Sequence, residues 1–321
     1  MTIKQTLKAK SVASLQANRI SLGLNLILFF VTLYLTLSIP WKPPLWTVYA
    51  DPYDYLHQSQ ISLFDREFFL SHKALPSGRQ PLNFFPRPFT VPLFYKLAGS
   101  DPNVIVQIQK CIHCKSAFFL AFSISLFVKR TVLQCLVTAC IYLLMSWWNI
   151  LAWSILLLSE SLSISLLFCW IASFLLFLKR NDTISFSLHV FITIFFAFTR
   201  DTWPYILVAF YSITLLSFLL LGNGIIGKTL GLLALSIALY FVEHKAAVIG
   251  QRQLLPLINT IVVRIIPSDE HTRCFADRRL PSVDRLKTEF RSLDLKNDPT
   301  AVSRIYNLYV DSTYADFFNW L

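Results

Sequence analysis

The sequence predicts an all-α polytopic membrane protein, and its composition and its apolar runs carry that prediction. Of the 321 residues, 55% are hydrophobic and only 15% are charged, with 28 Phe and 8 Trp. A soluble chain typically has about 25% charged residues. Several apolar runs exceed the roughly 18 residues that a helix needs to cross a bilayer. The chain has 8 Gly and no alternating ten-residue pattern, so we expect no membrane β-barrel.

Seven apolar segments predict about seven transmembrane helices. They cover about residues 20–39, 105–128, 131–149, 159–178, 183–200, 203–221 and 227–243. Residues 1–243 therefore form a predicted transmembrane domain, with a polar first loop at about 40–104. Residues 244–321 form a predicted C-terminal segment outside the membrane.

Basic residues predict the direction of the chain, because cytoplasmic loops are enriched in Lys and Arg. Lys4, Lys8, Lys10 and Arg19 precede the first apolar run. The N-terminus is thus expected in the cytoplasm, and the first loop and the C-terminal segment are expected outside. The first run is too long for a signal-peptide core and no small-residue cleavage site follows it, so we interpret it as an uncleaved anchor.

The net charge of +11 arises from 29 Lys and Arg against 18 Asp and Glu. In a membrane protein this excess is typical of cytoplasmic loops. The sequence has no basic run long enough to follow a nucleic-acid backbone, so we expect no nucleic-acid partner. The expected location is a bacterial inner membrane, since no retention signal is present, and membrane lipid is the expected surrounding partner.

The six cysteines do not form a secreted disulfide framework. Cys111 and Cys114 have the spacing of a metal or redox pair, but no second pair exists. Packing on one helix is the favoured interpretation, and a metal or redox role remains the alternative. His189 is interpreted as a packed core residue. No cofactor and no metal ligands are predicted, and metal dependence stays open.

Charged residues near the ends of the spans predict a site on the outer side. Counting about twenty residues back from Lys179, at about 1.5 Å each, places Glu160 at the outer boundary. Asp51 and Asp54 follow the first span at the same side, and Arg200 follows the fifth. Charges at the membrane are costly and are commonly functional. The alternatives are solvated loop acids, a Glu160 that only links helices, and a helix-end pair of Arg200 with Asp201.

These motifs resemble those of the GT-C fold, the multi-span glycosyltransferases that take sugars from polyprenyl-phosphate carriers. The first outer loop has an Asp followed four residues later by a Tyr, here Asp51 and Tyr55. An Arg-Pro segment precedes the second span, here beginning at Arg87. An acid opens a middle helix, here Glu160, and an Arg ends a later span, here Arg200. The resemblance covers about residues 20–221.

The resemblance implies an inverting transfer of a sugar from a lipid-linked donor to an acceptor hydroxyl or amine. Asp51 is the expected general base, with Asp54 as the second choice. Tyr55, Arg87 and Arg200 are the expected substrate-binding residues, and the arginines are expected to hold the phosphate. Glu160 is expected to bind a sugar hydroxyl or to orient an arginine.

Two other functions stay open. A transporter or flippase for lipid-linked or anionic substrates ranks second, because the sequence shows no obvious repeat and no mid-membrane charge was identified. A non-catalytic membrane protein is the third. Family members commonly have more spans than seven, so we expect a fragment, a shortened member or an inactive relative. The sugar, the acceptor and the oligomeric state are not predicted.

Overall fold

A computed structural model describes residues 3–40, 50–65, 68, 87–221 and 224–249. Within these ranges it describes the side chains from residue 19 onward, except those of residues 50–54, 155 and 249. Every regular element in these ranges is helical, which confirms the all-α class. The chain divides into two compact units. One consists of Met1–Lys42 and Leu93–Phe241, and the other of Pro43–Pro92 and Val242–Leu321. The predicted segment 244–321 lies mostly outside the described residues and stays a prediction.

The described part contains ten α-helices and one 3₁₀ turn, Ala152–Ile155. The helices are α1 Ile3–Ser38, α2 Ala50–Gln60, α3 Thr90–Leu97, α4 Pro102–Ser125, α5 Thr131–Ser146, α6 Trp148–Leu151, α7 Ser159–Arg180, α8 Thr183–Ala197, α9 Trp203–Leu221 and α10 Ile226–Ile249.

Four helices in the described residues are long and apolar enough to cross a membrane. They are Arg19–Ser38 within α1, all of α7, all of α9, and Ile226–Val248 within α10. These match the predicted spans at 20–39, 159–178, 203–221 and 227–243. They support a membrane-spanning protein, because soluble folds rarely contain several such helices.

The other three predicted spans differ from simple crossing helices. The segment predicted at 131–149 is bent by 59° between Thr131–Ser146 and Trp148–Ser154, and it makes a fifth span if the pair counts as one. α8 has only 15 residues, or about 22 Å. α4 carries several polar residues, including Lys110 and Lys115. The count of seven therefore stays a prediction.

Small side chains allow the helices at the centre of the first unit to pack closely. α4 packs against α1, α5 and α7, and α7 also packs against α8. α4 buries Ser116 and Ala117, and α7 buries Ser161 and Ser165. Such small residues let helix backbones approach closely, and in lipid this packing replaces a hydrophobic driving force.

A buried Asn ties three helices of this unit together. Asn25 on α1 is 2% exposed. Its Nδ2 donates to the carbonyl of Phe118 on α4 at 3.2 Å, and its Oδ1 accepts from the hydroxyl of Tyr142 on α5 at 2.8 Å. Buried polar groups need such partners because leaving them unpaired is costly. The pairs fix the rotation of α1 against α4 and α5.

A second buried network joins α7, α8 and α9. The indole N–H of Trp170 donates to the hydroxyl of Tyr211 at 3.0 Å. That hydroxyl also contacts His189 Nε2 at 2.6 Å, and His189 Nδ1 contacts Ser173 Oγ at 2.8 Å. His189 is 0% exposed, so its interpretation as a packed core residue is confirmed. The network holds the three helices whose ends carry the charges described next.

Candidate functional site

Glu160 and Arg200 form an ion pair at the N-terminal end of α7. Nη1 of Arg200, just beyond α8, lies 3.2 Å from Oε1 of Glu160 in the first turn of α7. Ser159 Oγ donates to the other carboxylate oxygen at 3.2 Å. The side chains are 25% exposed for Glu160 and 45% for Arg200. A carboxylate at this position is also favoured by the helix dipole. The prediction that these two charges lie at one level is confirmed.

Hydrogen bonds one turn further along α7 hold the segment that carries Arg200. Trp203 Nε1 donates to Ser163 Oγ at 2.6 Å, and Thr199 Oγ1 donates to the same oxygen at 3.4 Å. The rings of Phe196 and Trp203 lie 4.6 Å apart. Ser163 thus anchors both the end of α8 and the start of α9. These bonds fix the chain on both sides of Arg200, whose guanidinium contacts Glu160 and whose side chain is 45% exposed.

Sequence reasoning missed Ser163, Thr199 and Trp203. The available signal was the alternation of serines at 159, 161, 163 and 165, which is unusual at the start of an apolar helix. Ser161 Oγ is buried and has no hydrogen-bond partner among the described residues. A buried hydroxyl in this state is uncommon in folded proteins. The start of α7 is therefore polar beyond what helix packing requires.

The first-loop acids lie on a helix and not in a plain turn. Asp51 and Asp54 are in the first two turns of α2. Positions 51 and 55 are one helical turn apart and so lie on one side of this helix. The carboxylate side chains of Asp51 and Asp54 lie outside the described side chains. The helix gives the Asp-to-Tyr spacing a structural meaning, and the base role of Asp51 stays a prediction.

Tyr55 and Arg87, both predicted to bind substrate, lie together in the second unit. The guanidinium carbon of Arg87 lies 5.5 Å from the centroid of the Tyr55 ring, within the range of a cation–π contact. Tyr55 is 3% exposed, so its ring is a fixed platform. The structure therefore brings this predicted pair into contact.

Gln58, which the sequence did not point to, fixes the backbone at Arg87. Its Oε1 accepts from the backbone N–H of Arg87 at 2.8 Å, and its Nε2 donates to the Arg87 carbonyl at 3.0 Å. Nε2 also donates to the carbonyl of Phe68 at 2.8 Å. Gln58 is 0% exposed. One buried amide thus joins α2 to two other segments of the first loop.

The predicted site residues thus form two pairs, one in each unit. Glu160 with Arg200 belongs to the first unit, and Tyr55 with Arg87 belongs to the second. A single site that combines both pairs with Asp51 stays a prediction.

A buried lysine on α4, which the sequence did not point to, contacts the end of α1. Lys110 lies within the predicted span 105–128 and is 0% exposed. Its Nζ donates to the carbonyl of Ile39 at 2.8 Å, just beyond the end of α1. Carbonyls there lack partners within the helix and carry partial negative charge, which suits an ammonium group. Lys115 on the same helix is exposed. Ile39 ends the first predicted span and Lys110 lies near the outer start of the second, so the predicted spans place this charge near the outer boundary, and the expectation of no mid-membrane charge stays a prediction.

The cysteines of the predicted pair lie on α4, and their surroundings bear on the packing interpretation. No group of three His, Cys, Asp or Glu side chains is close enough to hold a metal ion among these residues. Cys114 is buried and its Sγ lies 3.7 Å from Thr36 Oγ1, where it packs α4 against α1. Cys111 is half-buried on the same helix. This geometry agrees with packing for the pair.

Comparisons with known proteins found no match from which a function could be inferred. The chain matches no protein-family model, no curated protein and no solved structure. The resemblance to the GT-C fold thus remains one of short motifs and their order.

Proposed function

We propose that the chain is a membrane glycosyltransferase of the GT-C type. It moves a sugar from a polyprenyl-phosphate carrier to an acceptor at the outer face of a bacterial inner membrane. The ion pair of Glu160 with Arg200 carries the proposal. These two charges meet at the end of an apolar helix that is long enough to cross a membrane, and the proposal places the lipid phosphate at this end. The proposal includes seven spans and a cytoplasmic N-terminus.

The reaction is a single displacement at the anomeric carbon of the sugar. A bond forms from the acceptor oxygen or nitrogen to that carbon, and the bond from the carbon to the phosphate oxygen breaks. The acceptor proton goes to the carboxylate of Asp51, the general base. Polyprenyl phosphate leaves with the bonding electrons. One displacement inverts the anomeric centre.

Arg200 stabilises the charge that develops on the leaving phosphate. A guanidinium presents several N–H donors that match phosphate oxygens in pairs. Its contact with Glu160 and the bonds of Thr199 and Trp203 to Ser163 preorganise it, so little reorganisation is needed during the reaction. Arg87 over the ring of Tyr55 is the second phosphate-binding group of the proposal.

The test is sugar transfer by the full chain in lipid nanodiscs. The donor is a polyprenyl phosphate carrying a radiolabelled hexose, and acceptors come from cell-surface glycan and lipid fractions. Release of polyprenyl phosphate and labelled product are both measured. Asp51→Asn is expected to lower the rate by about 100-fold or more, because an amide is a poor base.

Asp54→Asn and Asp65→Asn are the matched controls, since each removes one carboxylate of the first loop. Full activity of Asp51→Asn in an assay where the wild type transfers sugar removes Asp51 from the base role. Full loss with Asp54→Asn alone moves the role to Asp54. Unchanged surface glycans after deletion of the gene, together with no transfer by the purified chain, contradict the enzyme.

A transporter or flippase is the second candidate, and two observations favour it. Lys110 is a buried charge on α4, and the pair Thr131–Ser146 and Trp148–Ser154 is bent by 59°. Buried charges and broken helices are features of transporter sites. Movement of a fluorescent lipid-linked sugar across a vesicle bilayer without transfer of the sugar, lost in Lys110→Met, supports this candidate over the enzyme.

A further inference from the structure

The C-terminal end of α7, opposite to Glu160, collects basic residues from three connections. α7 has 22 residues, so this end lies about 30 Å from Glu160 along the helix. The basic residues are Lys129, Arg130, Lys179, Arg180 and Lys228. We call this set the basic end.

The connection between α4 and α5 is fixed against the end of α7. Lys179 Nζ lies 5.3 Å from the centroid of the Phe127 ring. Gln134 is 3% exposed, and its Nε2 donates to the carbonyls of Ser125 at 3.0 Å and Val128 at 2.7 Å. This held turn presents Lys129 and Arg130, which are both exposed.

Lys228 joins the third connection to the same end. Its Nζ donates to the backbone carbonyl of Asn181 at 2.7 Å and to its side-chain oxygen at 2.8 Å. Asn181 ends α7 in the left-handed conformation with φ 49°, which Asn tolerates better than most residues. The start of α10 and the end of α7 are therefore adjacent.

Asp182, the acidic residue at this end, already has hydrogen-bond partners. Asp182 Oδ2 accepts from Arg180 Nε at 2.7 Å, and its Oδ1 accepts from the backbone N–H of Ser185 at 2.7 Å. Asp182 neutralises Arg180 and caps α8. Among the described residues, no carboxylate is paired with Lys129, Arg130 or Lys179.

We propose that the basic end binds the phosphate group of an anionic phospholipid, through Lys129, Arg130 and Lys179. The apolar spans α7 and α10 terminate at this end, so lipid headgroups are the anions that lie at this level. Clusters of Lys and Arg beside a span attract anionic headgroups, and basic pockets between spans bind them. Phe127 is 44% exposed and supplies an apolar surface for the glycerol backbone. The inference is independent of the sugar-transfer proposal.

The test measures thermal stability of the full chain in mild detergent as phosphatidylglycerol or phosphatidylcholine is added. A ligand that binds only the folded state raises its Tm. Phosphatidylglycerol is expected to raise the Tm, phosphatidylcholine is not, and added salt weakens the effect. Lys129→Gln with Arg130→Gln is expected to lower the apparent affinity for phosphatidylglycerol by about 30-fold.

Lys115→Gln with Lys245→Gln is the matched control, since both lysines are exposed and lie away from the basic end. This control is expected to keep the wild-type affinity within about twofold. If the first double variant does not elute as one folded species, Lys129→Gln alone is used, with an expected loss of about fivefold. Equal losses in test and control variants overturn the proposal. Equal stabilisation by inorganic phosphate at the same concentration also overturns it, because the site then takes a free anion.

Discussion

The two ends of α7 use charge in different ways. Glu160 lies in its first turn, and Lys179 and Arg180 lie in its last. Both arrangements complement the helix dipole, so the sign of the charge alone does not identify a site. Each end has an ion pair, whose side chains are 25% and 45% exposed for Glu160 with Arg200 and 36% and 55% exposed for Asp182 with Arg180. At the C-terminal end, most of the cations are exposed and their acid is already bonded. We therefore place the proposed chemical site at the N-terminal end, where the ion pair is less exposed, and the proposed lipid contact at the C-terminal end, where more cations are exposed.

Among substitutions near the ends of α7, the largest expected effect is the loss of Arg200. Arg200→Gln is expected to lower sugar transfer by about 100-fold, because the developing phosphate charge loses its main donor. The free energy of unfolding is expected to change by less than about 1 kcal/mol, since half-exposed ion pairs contribute little. Initial rates and thermal melts of the same preparation measure the two quantities.

Lys228→Gln is the control for Arg200→Gln, because it removes one cation of α10 that lies beside the opposite end of α7. It is expected to keep the wild-type rate. If Arg200→Gln has wild-type activity, the ion pair has only a structural role, and the proposed functional difference between the two ends of α7 is wrong.

A double-mutant cycle sharpens the contrast at the N-terminal end. Glu160→Gln keeps an oxygen for the hydroxyl of Ser159 but loses the charge that orients Arg200, so transfer is expected to fall about tenfold. Glu160→Gln combined with Arg200→Gln is expected to be no slower than Arg200→Gln alone. Fully additive losses mean that Glu160 contacts the sugar directly and does not act through Arg200. Rates at saturating and at low donor concentration separate these roles.

The sequence could predict the ends of helices but not which faces meet. Glu160 and Arg200 flank apolar runs, so counting residues at a fixed rise placed them at one level. Tyr55 and Asp51 share a side of α2 because of their spacing alone. The bonds of Trp170, His189 and Tyr211 depend on helix rotation and on which helices are neighbours, which one sequence does not reveal. Lys110 is visible in the sequence, but its bond could not be predicted because a backbone carbonyl of another helix is its partner.

The buried network halfway along α7 provides a variant that affects neither end. Tyr211→Phe removes the hydroxyl that Trp170 and His189 contact. We expect a loss of about 1–2 kcal/mol in the free energy of unfolding, since buried donors lose a partner. At a temperature where the variant stays folded, the transfer rate and the affinity for phosphatidylglycerol are both expected to equal those of the wild type.

Tyr34→Phe is the control for Tyr211→Phe, since Tyr34 is 73% exposed. It is expected to leave the melting temperature unchanged. Equal melting temperatures for the two variants contradict a stabilising role for the network.

The smallest expected effect comes from Asp182, which is partly exposed between the ends of α7 and α8. The backbone N–H of Ser185, then its hydroxyl, and then Arg180 hold the pKa of Asp182 below its ordinary value of 3.8. A carboxyl whose pKa is lower in the folded state stabilises the fold above its unfolded pKa, and that contribution disappears as the pH falls through its folded pKa. The Tm difference between the wild type and Asp182→Asn is thus expected to be larger at pH 7 than below pH 3.8. Asn keeps an oxygen that caps α8, so the variant removes charge without removing the cap.

Asp182→Asn is also expected to change the affinity of the basic end for lipid. Asp182→Asn releases Arg180 from its ion pair and adds one cation to that surface, so the affinity for phosphatidylglycerol is expected to rise about fivefold. Asp101→Asn is the matched control, because Asp101 caps α4 through the N–H of Asn103 and its substitution leaves Arg180 paired. An equal rise in both variants would mean that net charge, and not the location of the cations, governs lipid binding. If the affinity for phosphatidylglycerol rises in Asp182→Asn alone, one freed arginine at the basic end is enough to strengthen lipid binding.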